Sequence, residues 1–256
     1  MNQDSVQAFV QARGVRPRWP DIAAQLRPAT VEAGYQLQNA AHAQLAAAGD
    51  ARVGWKVGST SAAGQRGFGL QEPVYAGLFA SCRSSSLAEA LSRPLARPSL
   101  ECEIAVVLSR DIDGADPSLS VASITDSIGA CHIGCEIIDN RYGDPMAVGV
   151  PSLIADDFFQ AGFVIGAENT SWRTQDLAAA EGFIEIDGQR KIGSARDILS
   201  AFDSLHWLAK ALARNGLSLR AGELVLTGTL VTPTPISLPA RTVSMGITGF
   251  SVLGLA

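Results

Sequence analysis

From residue 55 to 186 the chain is a succession of short β-like runs, cut repeatedly by Gly, Pro and Asp. Punctuation of this kind belongs to strands joined by turns. The clearest runs cover residues 100–108, 133–138, 163–166 and 183–186. The first fifty residues differ: they are Ala-rich and read as helical. Thr30 is a plausible N-cap with Glu32 in the first turn, and Val31, Tyr35, Gln38 and Leu45 step at helical spacing until Gly49-Asp50. A second helix is expected after residue 194. Ser194 and Asp197 form a variant capping box, and Ile198, Phe202, Leu205, Leu208, Ala209 and Leu212 make one apolar stripe that Asn215-Gly216 ends. Strand candidates at 223–227, 242–245 and 250–253 close the chain. The expected class is α+β: a helical N-terminal lobe over residues 1–50, then one continuous mixed-β body over 51–256. There is no internal repeat and no low-complexity linker.

Composition removes several function classes. With 256 residues, 47% of them hydrophobic and 18% charged, the chain has ample material for a packed core. Twenty basic against 25 acidic residues give a net charge of -5, and no basic run exists to follow a nucleic-acid backbone. No apolar stretch approaches the roughly 18 residues that a membrane span needs. Met1-Asn2-Gln3-Asp4-Ser5 carries an acid where a signal peptide needs basic residues. A soluble, cytoplasmic protein is expected, with no nucleic-acid or membrane partner. Cys82, Cys102, Cys131 and Cys135 have no CxxC spacing and read as small buried hydrophobes. Cys131-His132-x-x-Cys135 suggests zinc, but no second ligand pair lies nearby to complete four.

The most informative stretch runs from Pro98 through Glu101-Cys102-Glu103 to Leu108. Residues two apart on a strand share a face, so Glu101 and Glu103 project together while Cys102, Ile104 and Val106 project oppositely. Adjacent same-face carboxylates in an apolar run repel and resist burial, which calls for a positive partner. In residues 131–139 the same alternation groups His132, Glu136 and Ile138 against Cys131, Cys135 and Ile137. Three carboxylates from two strands make a hard, all-oxygen set suited to Mg²⁺ or Mn²⁺. On spacing alone, an ordinary solvated sheet face explains these acids equally well.

Lys56, in Trp55-Lys56-Val57-Gly58-Ser59-Thr60-Ser61, is a third candidate. It would offset the triad's excess negative charge, hold a substrate anion or move a proton. Taken alone it reads more simply as an edge lysine blunting a strand. Leu226-Thr227-Gly228-Thr229 leaves a strand into a Gly turn whose N–H groups and hydroxyls suit a carboxylate, although plain turn chemistry serves as well. The glycines of residues 64–69 lack nucleotide-binding spacing, and no Gly-x-Ser-x-Gly elbow occurs. His42 reads as a helix-surface residue, and His206 as a polar residue beside the apolar stripe.

The order of these pieces carries a resemblance. Thr30-Val31-Glu32-Ala33-Gly34-Tyr35-Gln36-Leu37-Gln38, Gly54-Trp55-Lys56-Val57-Gly58-Ser59-Thr60-Ser61 and Glu72-Pro73-Val74-Tyr75-Ala76-Gly77-Leu78 come first. Glu101-x-Glu103, Glu136-Ile137-Ile138-Asp139-Asn140-Arg141, Trp207-Leu208-Ala209 and Ala221-Gly222-Glu223-Leu224-Val225-Leu226-Thr227-Gly228 follow. From about Thr30 to the C-terminus the chain resembles the hydratase/decarboxylase branch of the fumarylacetoacetate hydrolase superfamily. The resemblance implies a mixed β-roll like the C-terminal domain of fumarylacetoacetase, preceded by helices. It implies Mg²⁺ or Mn²⁺ on Glu101, Glu103 and Glu136, a catalytic lysine at Lys56, and substrate contacts at Thr60, Tyr75, Asp156, Thr227 and Gly228.

The activity it implies is a metal-dependent lyase on a small 2-oxo acid. The first choice is hydration of a 2-hydroxy-dienoate or 2-oxo-enoate such as 2-hydroxypenta-2,4-dienoate, in the catabolism of aromatic compounds. The alternatives are decarboxylation of a 4-oxalocrotonate-type acid, C–C hydrolysis of an acylpyruvate with His42 or His132 activating water, and a non-catalytic support subunit. A homo-oligomer is implied, as is association with a paralogous decarboxylase or hydratase. Two segments depart from the branch. An Asp-Asn-x-Ser-Ser-like stretch is replaced by Ala155-Asp156-Asp157-Phe158-Phe159-Gln160-Ala161-Gly162, and the Gly/Ala-rich entry to the late helix becomes Gly193-Ser194-Ala195-Arg196-Asp197. The metal end matches the branch and the specificity end does not.

Overall fold

Thr30 caps helix α2 (Val31–Ala47), its Oγ1 accepting the Ala33 N–H at 3.2 Å. Helix α1 (Gln3–Gly14) packs Phe9 and Ala12 against Leu37 of α2. The inner face of α2 carries polar as well as apolar residues. Gln38 is fully buried there, and its Nε2 donates to the carbonyls of Ile154 at 2.7 Å and Tyr75 at 3.3 Å. The computed structural model describes residues 2–14 and 22–255; Met1, residues 15–21 of the expected helical lobe and Ala256 at the end of the expected body lie outside them. No helix among the described residues is long and apolar enough to cross a membrane.

The body is built on two sheets. The larger contains β1 (Arg52–Gly58), β2 (Val74–Phe79), β3 (Pro98–Leu108), β4 (Ile128–Asp139) and β5 (Gln160–Glu168). The smaller contains β6 (Glu181–Ile186) and β7 (Gln189–Ser194), while β8 (Leu224–Thr229) and β9 (Thr234–Pro235) return to the larger. Strands β10 (Val243–Ile247) and β11 (Leu253–Gly254) complete the smaller one. The larger sheet runs β2-β1-β8-β3-β4-β5, with β9 beside β3, and the smaller runs β11-β10-β6-β7. Pairing is antiparallel throughout except where β1 meets β8 in parallel, so the roll is mixed. The sheets meet along β3, where Cys102 Sγ lies 3.7 Å from the Gly246 carbonyl. Cys102, Cys131 and Cys135 are buried free thiols that pack in this core.

Two expectations shift. The late helix begins at Ala201, not after Ser194. The sequence holds two Ser-x-x-Asp patterns six residues apart, and the second sets the helix start: Ser200 Oγ accepts the Asp203 N–H at 3.2 Å. Ser194 caps only a single 3₁₀ turn, because Ile198 is extended and Leu199 gives its N–H to the Thr60 carbonyl across the cavity mouth. At the C-terminal end only Leu253 of the expected 250–253 region pairs, together with Gly254 beyond it, and β7 appears where exposed, polar residues gave no strand signal.

Candidate active site

Antiparallel pairing of β3 with β4 sets Glu101 directly opposite Glu136 and Glu103 opposite Gly134. Like charges in directly opposed positions destabilise a sheet, and these are out of water: Glu103 and Glu136 are fully buried, and Glu101 is half-buried. One carboxylate oxygen from each of the three lies within 4.8 Å of the others. Glu103 Oε2 accepts the Gly228 N–H at 2.7 Å, whereas Glu103 Oε1 and Glu136 Oε2 have no hydrogen-bond donor and Glu136 Oε1 faces only the Lys56 ammonium, at 3.2 Å. Buried carboxylate oxygens without donors are costly unless a cation takes the place of the donors. Burial and then the facing Glu136 push Glu101 up to about 8, and the same causes, with Glu101, push Glu103 well above the carboxylate range. The solvated-face reading of these acids is therefore corrected. The oxygen-only donor set fits a hard divalent cation.

Lys56, on β1, is also buried at 2% exposure. Its Nζ donates to the Phe158 carbonyl at 2.9 Å and stands 3.2 Å from Glu136 Oε1. Burial alone would lower its pKa, but Glu136, Glu101 and Glu103 outweigh burial and raise it, so the ammonium stays charged.

The carbonyl that holds Lys56 belongs to an unusual loop. After the short helix Val150–Ala155, Asp157, Phe158 and Phe159 take φ values of 57°, 45° and 69°, three consecutive left-handed residues without a glycine. Each such residue costs on the order of 1–2 kcal/mol. Buried ion pairs offset this on both sides. Asp157 Oδ1 faces His42 Nε2 at 2.8 Å and accepts the Gly77 N–H at 3.1 Å, while Oδ2 pairs with Arg13. Arg141 reaches both oxygens of Asp156 at 2.7 Å, and the Tyr142 hydroxyl donates to the same carboxylate.

Helix α1 is tied to this loop as well. Arg13 donates to the Ala155 carbonyl at 2.8 Å, and Arg141 donates to the Ala12 carbonyl at 2.6 Å. Burial lowers the His42 pKa against the pull of Asp157, which makes the imidazole a neutral donor. Burial would raise Asp157, but Arg13 and His42 outweigh it and bring the carboxyl down to about 2.

Lys56, Glu101, Thr60, Phe158 and Phe159 share the wall of a cavity of about 610 Å³. Of the residues expected at the substrate, Thr60 is there. Gly228 is adjacent, but its N–H is used by Glu103 rather than left for a substrate carboxylate. At φ +109°, and with any Cβ 2.5 Å from Thr60, only glycine fits at that position.

The others are placed elsewhere. Thr227 is buried and donates its hydroxyl to the Ile104 carbonyl. Tyr75 is fully buried with its ring stacked on Tyr35 at 4.2 Å. Asp156 lines a separate cavity of about 360 Å³ behind the loop, with Arg13, Arg141 and Asp157. His42 is not on the helix surface; it is 3% exposed and buried against Asp157. Neither it nor His132, whose Nδ1 is 3.0 Å from the Gly166 carbonyl, lines the large cavity. The Asp157–His42–Arg13 cluster and the Phe158 carbonyl were not anticipated. The one available signal was a pair of acids followed by two aromatics in place of small hydroxyl residues.

A mixed roll that brings two buried carboxylates, a half-buried third and a charged lysine together beside one cavity has the build of a metal-assisted enzyme. Its fold is shared by 4-oxalocrotonate decarboxylase from Pseudomonas putida G7, solved with magnesium and adipate: the TM-score is 0.85 at 21% identity, covering 99% of this chain and 97% of that one. In sequence the chain is 33% identical to the 2-keto-4-pentenoate hydratase of Paraburkholderia phymatum, over 77% of this chain and 74% of the relative. It is 31% identical to the TodF product hydratase of Pseudomonas putida, over 81% and 77%. No protein-family model matches the chain. The chain belongs to the hydratase/decarboxylase branch of the fumarylacetoacetate hydrolase superfamily.

Proposed function

We propose that the chain is a divalent-metal-dependent hydro-lyase that hydrates 2-hydroxy-2,4-dienoates, such as 2-hydroxypenta-2,4-dienoate, in aromatic-compound catabolism. The observation that carries this reading is the pair of buried oxygens without a donor, Glu103 Oε1 and Glu136 Oε2, clustered with Glu101, which shares a cavity wall with Lys56. Glu101, Glu103 and Glu136 would hold Mg²⁺ or Mn²⁺. Such a cation supplies Lewis acidity toward the carboxylate and C2 oxygen of a 2-oxo acid.

The protein's own groups do the rest. The Lys56 ammonium, aimed by the Phe158 carbonyl, stabilises negative charge developing on the substrate's C2 oxygen; it gives a proton toward C5 as the dienol ketonises and is recharged by the proton that the C2 hydroxyl loses. The Gly228 N–H keeps Glu103 turned toward the site. Thr60 borders the space in which the ketonised enone takes up water at C4. Family membership supports a cytoplasmic homo-oligomer that associates with a paralogous decarboxylase or hydratase; light scattering of the purified protein, alone and mixed with such a paralogue, tests this.

The function is tested by the ultraviolet decay of 2-hydroxypenta-2,4-dienoate. The protein is stripped with chelator and then given Mg²⁺, and the product's mass is measured. Mg²⁺-dependent decay with a gain of one water is the expected outcome. Loss of CO₂ from a 4-oxalocrotonate, with no hydration, would reassign the site to decarboxylation. Metal binding without any turnover would make the chain a support subunit.

A further inference from the structure

We propose that the substrate's tail is bulky and uncharged, an aryl or branched alkyl group at C5 of the dienoate, received by Phe68, Phe158 and Phe159. This rests on reading the site as a dienoate lyase. In an extended chain, neighbouring side chains point to opposite sides. The left-handed turn at 157–159 instead lets Phe158 and Phe159 face one cavity together. Phe68, from helix α3 (Ala62–Phe68), closes the cluster.

Ring centroids of Phe68 and Phe158 are 5.0 Å apart at 64°, and those of Phe158 and Phe159 are 5.3 Å apart at 71°. Tyr142 backs Phe159 edge-on at 5.7 Å. These tilted and edge-to-face contacts make a firm aromatic wall. The wall starts at the reacting end, with Lys56 Nζ 5.4 Å from the Phe158 centroid. At about 610 Å³ the cavity is in the range that houses drug-sized ligands, and a five-carbon acid fills a small part of it.

Charge on the wall points the same way. Among the described residues, the charged groups lining the cavity are Lys56, Glu101 and Asp197. Lys56 is already engaged by Glu136 and the Phe158 carbonyl, and Asp197 repels a second carboxylate. Lys191 and Arg196 are close in sequence but do not line the cavity. At the rim, Ile198 and the 71%-exposed Ile192 offer an apolar lip for a tail to cover. A tail carboxylate would lose its water to phenyl rings with no cation to receive it.

The test compares kcat/KM of the Mg²⁺-loaded full chain for 2-hydroxy-2,4-dienoates bearing hydrogen, phenyl or carboxylate at C5. In parallel, calorimetry compares binding of 2-oxo-5-phenylpentanoate and 2-oxoadipate, which carry phenyl or carboxylate on C5 and read tail preference without turnover. The phenyl compound is expected to exceed the hydrogen compound at least tenfold, the carboxylate to rank last, and the phenyl 2-oxo acid to bind at least tenfold more tightly than the dicarboxylate. Phe159→Ala should bring the phenyl-to-hydrogen ratio toward one. Asp197→Arg, at the exposed rim, should raise the carboxylate-to-hydrogen ratio at least tenfold. Equal or tighter binding of the dicarboxylate, or a phenyl compound poorer than hydrogen, overturns the tail assignment. No turnover of any dienoate, with the phenyl preference kept in binding, would overturn the lyase reading and leave the tail assignment standing.

Discussion

Strands β3 and β4 place Glu101, Glu103 and Glu136 by pleat and register in relaxed backbone, while the loop 156–159 places the Phe158 carbonyl through three left-handed residues and two buried ion-pair clusters. On the strands the cost is electrostatic: carboxylates face one another away from water. On the loop the cost is conformational, and charge pairing offsets it. The two halves of one site thus carry opposite liabilities. Removing a charge should relieve the first and break the second.

The largest expected effect is on turnover in Glu103→Gln. Loss of a carboxylate ligand should lower metal-dependent activity on the order of a thousandfold, equivalent to several kcal/mol of transition-state stabilisation. The same variant, stripped with chelator, should melt above the stripped wild type at neutral pH, because the wild-type Glu103 must either bury a like charge or take up a proton on folding, and Gln does neither. A lower melting point would show that the acids are not in conflict.

Lys56→Met should lower activity by roughly 10²–10⁴-fold while Mn²⁺ binding measured by calorimetry persists. A variant that no longer binds the ion would place the lysine in the metal site's support and not in the chemistry. Asp157→Ala should do what no change in the acid triad does: lower stability by about 2–3 kcal/mol in urea titration, by stranding the half-buried Arg13 charge and the His42 and Gly77 donors. An unchanged midpoint would mean that the loop holds its shape unaided.

The smallest effect is on pH dependence. Asp157 has a folded value of about 2, below its unfolded value of about 3.9. It therefore contributes stability above about pH 4 that is lost as pH falls toward 2, roughly 2–3 kcal/mol in all. His42, kept neutral by burial, adds to the loss once pH drops below its unfolded value of about 6.5. Urea midpoints should fall on acidification, and Asp157→Asn should flatten the part below pH 4. An equally steep fall in that variant would move the acid sensitivity elsewhere.

The same contrast explains what could be read before the fold was known. Period-two alternation carries Glu101 and Glu103 to one face of β3, but only the register with β4 brings Glu136 beside them, so on spacing alone a solvated face explained the acids equally well and the family resemblance decided for a metal set. Helix α2 was legible from Thr30 and its spacing. The late helix was misplaced by six residues because Ser194-x-x-Asp197 and Ser200-x-x-Asp203 are locally equivalent. What separates them is a hydrogen bond from Leu199 to Thr60, nearly 140 residues away in sequence. His42 looked like a surface residue because its partner Asp157 lies 115 residues on. Nothing local marks Asp157, Phe158 and Phe159 as left-handed, since that conformation exists only where Arg13, His42 and Arg141 converge. Strand β7 escaped because its exposed residues lack the apolar alternation that marks a strand.

A main-chain carbonyl is the one acceptor that a point mutation cannot delete. Because Lys56 is aimed by the carbonyl of Phe158 and not by a side chain, codon 158 can change what the cavity admits without changing which atom orients the lysine. The anchor of Lys56 is thus written into the backbone path of the loop and not into the identity of residue 158.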